Sequence, residues 1–288
     1  MAYIDDQLVE FKRLIEDAII AEGAEGKNKV IKSSKPINLI HDAVKKSLID
    51  AGVDPSLVRP QFENTKPEMK MAGFIKQKKQ DVCVIPKNIT KVKSEIDWGP
   101  MAHLRRKDEF GYEFSRNSLV INVRSQMSSL GKNYDTLFER TVAEAQNLHM
   151  RYPDIVLGEV YLIPVYEYDD AMAKENIVEF STRHSDIENY ISFFSSISGR
   201  TYDSNPGEHS ELINTKSAYK YERCALLIVD FNRAVPKLYQ SSAELLADGL
   251  ISDTFGIEYA DISFGAFAND ILEIYGQRFV VDNLMLNP

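Results

Sequence analysis

The sequence predicts an α/β fold, a mixed central sheet flanked by helices. Three observations carry this expectation. Short β-branched apolar runs, DVCVIP (residues 81–86) and SLVINVR (118–124), read as strands. Stretches with apolar residues at helical spacing surround them, at residues 4–22, 37–51 and 134–152. The order of these segments is helices, strand, strand, helix, long strand, helix, apolar run, helices, which suits one sheet with helices on its faces.

Ile4, Leu8, Phe11, Ile15 and Ala18 form one stripe of a first helix, which Gly23 and Gly26 are expected to end. Residues 37–51 give a second helix with Gly52 as its stop. Asp54-Pro55 starts a turn, and Pro60 and Pro67 keep the next segment extended. Residues 87–116 are polar and basic with weak periodicity, as in a long loop or hairpin, and long loops in compact domains are often functional. Leu137, Thr141, Ala145 and Leu148 share a face of the 134–152 helix. VLGEVYLIPVYEY (156–168) is a long strand, 184–197 a helix, and 198–210 a loop. RCALLIVDF (223–231) is a buried run, strand or helix end, and helices at 240–251 and 266–275 close the chain. The whole reads as one domain over 1–288, with 1–60 a helical N-terminal part and 240–288 a helical C-terminal part.

The chain has 288 residues, 44% of them hydrophobic, enough for one large core. It contains no run of 18 apolar residues, and its acidic, amphipathic start lacks a signal-peptide core, so a cytoplasmic protein is expected. Cys83 and Cys224, each inside an apolar run, read as buried thiols, and with five scattered histidines they give no zinc spacing. The net charge of −9 argues against nucleic acid, but its distribution does not. Residues 66–107 hold eleven Lys/Arg against four Asp/Glu, whereas 244–288 hold eight acids and one Arg. A basic middle between acidic ends suggests one positive face; a solvated lysine-rich loop explains the charge count equally well.

Asp81 opens a strand directly after the basic run KQKKQ. An acid there suits a hard cation next to phosphate, and it also suits a simple turn or cap. In VINVRSQ (120–126), residues two apart face the same way, so Asn122, Arg124 and Gln126 share one side and Ile121 and Val123 the other. If the strand after Asp81 pairs with this one, Asp81, Asn122 and Arg124 converge; the alternative is a solvated polar face. Pro153-Asp154 followed by Gly158-Glu159 also looks like a paired-acid motif, but it lacks a lysine, and Tyr152-Pro153-Asp154 reads as a helix stop. His103, Arg105, Arg106 and Lys107 form a basic patch, and Trp98 is a stacking or packing residue.

GFIKQKKQD (73–81) resembles the glycine–aromatic…basic…Asp stretch of XhoI-type restriction endonucleases, and VINVRSQMSSLGKNY (120–134) resembles their Glu-x-Lys-Ser-Gln strand and the Gly-x-Asn-aromatic turn after it. YKYERCALLIVDF (219–231) is similar to a later basic-then-apolar stretch, so the likeness spans roughly residues 72–231. It implies a restriction-endonuclease-like mixed sheet of the PD-(D/E)xK type, a homodimer, double-stranded DNA as substrate and Mg2+ as cofactor. By position it makes Asp81 the metal-binding aspartate. Asn122 stands for the second acid and Arg124 for the lysine, Gln126 is the family glutamine, and Glu139 is a supporting helix-borne acid. Lys76, Lys78, Lys79, Arg105, Arg106 and Lys107 are then expected on DNA. An asparagine oxygen can still hold a metal or its water. An arginine can fork onto phosphate, but it does not deprotonate near neutral pH and so cannot act as a base.

The expectation is thus a Type II restriction endonuclease. A nuclease fold that has lost cleavage and binds DNA or a partner, and an unrelated α/β binding protein, are the alternatives.

Overall fold

The computed structural model describes residues 2–202 and 216–286, so residues 203–210 of the expected 198–210 loop lie outside the described part. Two long helices lead: α1 (Tyr3–Lys32) and α2 (Lys35–Asp50). Gly23 breaks α1, as its position predicts, with φ of +61°, a conformation a Cβ disfavours. A Cβ there would also lie 2.8 Å from the Ala173 carbonyl oxygen, on the short helix that packs alongside. The helix does not end there, however, and resumes to Lys32.

Next come β1 (Val58–Arg59), β2 (Met69–Ala72), β3 (Gln77–Gln80), β4 (Val82–Val84), β5 (Ser94–Glu95), α3 (Pro100–His103), β6 (Lys107–Asp108), α4 (Tyr112–Arg116) and β7 (Leu119–Ser125). Helix α5 (Tyr134–His149) leads to β8 (Val156–Pro164), followed by α6 (Asp170–Lys174), α7 (Ile187–Ile197), β9 (Arg223–Asp230), β10 (Lys237–Leu238), α8 (Ser242–Ala247) and α9 (Phe264–Arg278). The apolar run at 223–231 is therefore a strand.

The main sheet has six strands in the order β1-β4-β7-β8-β9-β10. β4 runs antiparallel to both of its neighbours, β1 and β7; β8 and β9 run parallel to β7, and β10 turns back. The architecture is a mixed α/β sheet flanked by helices. Helix α5 is the crossover between the parallel strands β7 and β8. Every residue of β8 and β9 is buried, which is why both read as near-continuous apolar runs. At Gly158 a Cβ would meet Ile271 Cδ1 at 2.7 Å and Phe267 Cζ at 2.8 Å, so α9 lies directly on the β8 backbone. One hydrophobic core runs from Ile4 to Leu284, with Cys83 and Cys224 as free, buried thiols within it. No helix among the described residues is long and apolar enough to cross a membrane.

The basic middle of the sequence folds as an arm on this sheet. β2 and β3 form a hairpin, β5 and β6 pair beside it, and Ala72, Ile96 and Met101 give the arm a small core of its own. Asn147 of α5 clamps the hairpin turn: its Oδ1 accepts from the amides of Ile75 (2.8 Å) and Lys76 (3.1 Å), and its Nδ2 donates to the Lys76 carbonyl. Gly73 allows that approach, since a Cβ would fall 2.1 Å from Asn147 Nδ2. Asp108 anchors the other pair by accepting from Arg151 and the Tyr152 hydroxyl, both at 3.1 Å.

Candidate active site

The register of three neighbouring strands assembles the site. Val82 pairs with Ile121, which brings Asp81 level with Asn122, and Asn122 pairs in turn with Glu159. A row Asp81–Asn122–Glu159 thus crosses β4, β7 and β8, spanning roughly 10 Å at the usual interstrand spacing. Asp81 is fixed by its Oδ2, which accepts from the Val123 amide at 2.9 Å.

Asn122 is 1% exposed, so the solvated-face reading of this strand does not hold. Its Nδ2 makes a long 3.5 Å hydrogen bond to the Tyr221 hydroxyl, which itself donates to the Thr141 carbonyl at 2.9 Å. Its Oδ1 is buried with no partner. Arg124 forms an ion pair with Glu144 of α5, lies 3.4 Å from Glu159 Oε1, and donates to Thr141 Oγ1 at 3.3 Å. Gln126 donates to the Ser128 carbonyl at 2.5 Å and stays beyond this row.

Glu159 is the charged side chain that the sequence reading set aside. It is fully buried in the centre of β8, and neither carboxylate oxygen has a hydrogen-bond partner of good geometry. Burial raises its pKa and the Asp81 charge adds to the rise, while Arg124, Lys78 and the nearby Tyr221 hydroxyl oppose it. Its sequence signal is a single acid inside the apolar run VLGEVYLIP. The companion Asp154 is taken up by Arg116, consistent with a helix-stop role for Tyr152-Pro153-Asp154.

Lys78 points inward from β3 and pairs with Glu144, so it belongs to the site and not to an outer DNA surface. Burial, and then the Arg124 charge, lower its ammonium to a pKa of about 8, with Asp81 and Glu159 acting in the opposite sense. His41 of α2 lies near enough to Asp81 to feel its charge, although burial keeps the imidazole below its ordinary value. Glu139 is exposed; the acid of α5 that reaches the site is Glu144, five residues on. Three carboxylates (Asp81, Glu144, Glu159) and two cations (Lys78, Arg124) therefore share one half-buried locus.

Among the described residues, no three His, Cys, Asp or Glu side chains come close enough to hold a metal by themselves. What does fit a hard cation is a mixed oxygen set: the second Asp81 oxygen, the unpartnered Asn122 Oδ1 and the Glu159 carboxylate, which Arg124 flanks and which accepts no hydrogen bond. Magnesium uses one or two carboxylates and keeps several waters, so this set is sufficient in number and chemistry.

The outer basic residues divide. Lys79 is exposed and pairs with Glu68 at 2.8 Å. Lys76 and Arg106, with Lys70, line a recess of about 240 Å3 together with Ile75 and Leu104, while Arg105 and Lys107 are exposed nearby. Trp98 is 41% exposed and tilts against Phe74 at 5.4 Å, so it packs on the arm while leaving part of its face open. The chain matches no family model, no curated protein and no solved structure.

Proposed function

We propose that this chain is a magnesium-dependent endonuclease of the restriction type, acting on duplex DNA as a homodimer, with its second acid displaced from β7 to β8. The single observation that carries this reading is the row Asp81–Asn122–Glu159, in which the buried Asn122 Oδ1 and both Glu159 oxygens accept no hydrogen bond beside a fixed aspartate. Buried polar groups without partners are rare, and a bound ion is one of the standard reasons for them. The mixed sheet flanked by helices agrees with the architecture that the XhoI-type likeness implies, and the basic arm leads straight into Asp81.

Asp81, Asn122 Oδ1 and Glu159 would hold the magnesium ion. When bound, the ion supplies a polarised water and offsets charge at the phosphorus. Arg124 is placed to stabilise a non-bridging phosphate oxygen, but it has no proton to give up near neutral pH. Lys78 takes the place of the absent motif lysine, because its lowered pKa lets it exchange a proton close to neutrality. Lys70, Lys76 and Arg106 grip the backbone, and a two-fold dimer suits a palindromic site.

A second reading has one observation in its favour. Arg124 is held by Glu144 and Asn122 by Tyr221, which suits a site closed by internal pairs and a protein that binds DNA without cutting it. Incubation with plasmid and phage DNA and Mg2+ or Mn2+ separates the two. Discrete fragments that disappear in Asp81→Ala support the endonuclease. Salt-sensitive binding with no cutting supports the binding protein. No DNA binding at low salt removes both.

A further inference from the structure

Beyond Arg124, where β7 ends, a cavity of about 400 Å3 opens between the start of α5 and the junction of α1 with α2. Two arginines line it, Arg124 and Arg140, and no carboxylate does, in a chain whose net charge is −9. Arg140 is exposed and makes no ion pair among the described residues. Ser125, Asn133 and Thr136 add hydroxyl and amide groups, and Ile37, Leu137 and Tyr161 supply an apolar wall. The Arg124 guanidinium is already paired with Glu144 and flanked by Glu159, so Arg140 is the guanidinium of this recess left for a ligand, and arginine's planar fork matches phosphate oxygens in pairs. The volume exceeds what a bare phosphate needs and lies within the range of ordinary ligand pockets, leaving room for a sugar or base against the apolar side.

We infer that this cavity is a subsite for the phosphomonoester of a nucleotide. Arg140 is its principal anchor, and Arg124 joins it to the row at Asp81. The dianionic monoester is favoured over the singly charged internal diester because the recess offers the unpaired Arg140 guanidinium and no carboxylate. The same chemistry is offered by a phosphorylated DNA end and by a free nucleoside monophosphate. The inference rests on the endonuclease reading only in taking the ligand to be a nucleotide.

The test uses the full chain in EDTA, so that no cleavage intervenes. Fluorescence anisotropy compares one short duplex carrying either a 5′-phosphate or a 5′-hydroxyl, and calorimetry measures inorganic phosphate and a deoxynucleoside monophosphate. We expect the phosphorylated duplex to bind at least ten-fold more tightly. That advantage should fall below two-fold in Arg140→Ala and return in part in Arg140→Lys; because the side chain is exposed, the fold should tolerate both changes. A mononucleotide that binds through Arg140 while both duplexes bind alike assigns the subsite to free nucleotide. Equal affinity for both duplexes together with no mononucleotide binding overturns the subsite. A 5′-phosphate preference in a protein that cuts nothing with Mg2+ or Mn2+ keeps the subsite and removes the endonuclease reading; cutting without any phosphate preference does the reverse.

Discussion

Glu159→Gln separates a metal-holding acid from a buried structural one. The replacement keeps the shape of the side chain and removes only its charge. In the folded protein that charge lies 3.4 Å from Arg124. At an effective dielectric of 20 the attraction is about 5 kcal/mol, against a desolvation penalty of several kcal/mol for each buried ion. The two nearly cancel, and no hydrogen bond to either oxygen is lost. We therefore expect a stability change within about 1–2 kcal/mol, or a few degrees in Tm for a chain of this size. Metal affinity should respond very differently. Residues that only orient a ligand are worth roughly 10–100-fold, so losing one of two carboxylate ligands should weaken Mn2+ binding by at least about 100-fold. Calorimetric Mn2+ titration and a thermal melt measure the two effects without knowledge of any cleavage site. Glu139→Gln, on the exposed side of α5, serves as a control that should change neither. Unchanged Mn2+ affinity in Glu159→Gln would refute the metal role. A fall in Tm of ten degrees or more would instead make Glu159 a structural residue.

Four further outcomes follow from the geometry. In methylated protein, an NMR titration should find one lysine, Lys78, near pH 8, and Arg124→Met should move it upward by removing the charge that helps hold it down. Between about pH 8 and the unfolded value near 10.4, the folded protein has shed this proton while the unfolded chain keeps it, so stability should rise with pH there, and Lys78→Met should flatten that slope. Glu222 accepts from the Leu157 amide (2.8 Å), Arg278 (2.8 Å), Arg200 (2.9 Å) and His149 (3.2 Å). Burial alone would raise its pKa, but His149 and the two guanidinium groups hold it well below the usual carboxylate range, so its stabilisation is present above about pH 4.3 and fades on acidification. Glu222→Gln should cost about 3–5 kcal/mol in urea melts at pH 7 and weaken the acid limb; a loss under 1 kcal/mol would contradict this. Lys76→Ala and Arg106→Ala should each reduce the slope of log affinity for DNA against log salt by about 0.9, and an unchanged slope would take that residue off the backbone.

What was legible in the sequence was whatever depends on local period. The strands at 81–86, 118–124 and 156–168 and the helix from Tyr134 follow from alternation and 3.6-residue spacing, and the structure places elements within each of them. The convergence of Asp81, Asn122 and Arg124 was legible as a conditional, and the antiparallel pairing of β4 with β7 meets the condition. The hairpin at 69–80 was missed because its strands are only four residues each and the second, QKKQ, is polar, and because a distant side chain, Asn147, holds its turn. Helix α1 ran past Gly23 because one left-handed residue bends a helix without forbidding another turn after it. Glu144 and Glu159 escaped for a different reason. Neither is close in sequence to Asp81 or Arg124, and each reaches the site only through the crossover that sets β8 beside β7. A motif written along one strand is blind to an acid supplied by the next. Yet a lone carboxylate in a nine-residue buried apolar strand is costly to desolvate, and that cost alone marks Glu159 as a residue with a partner to find.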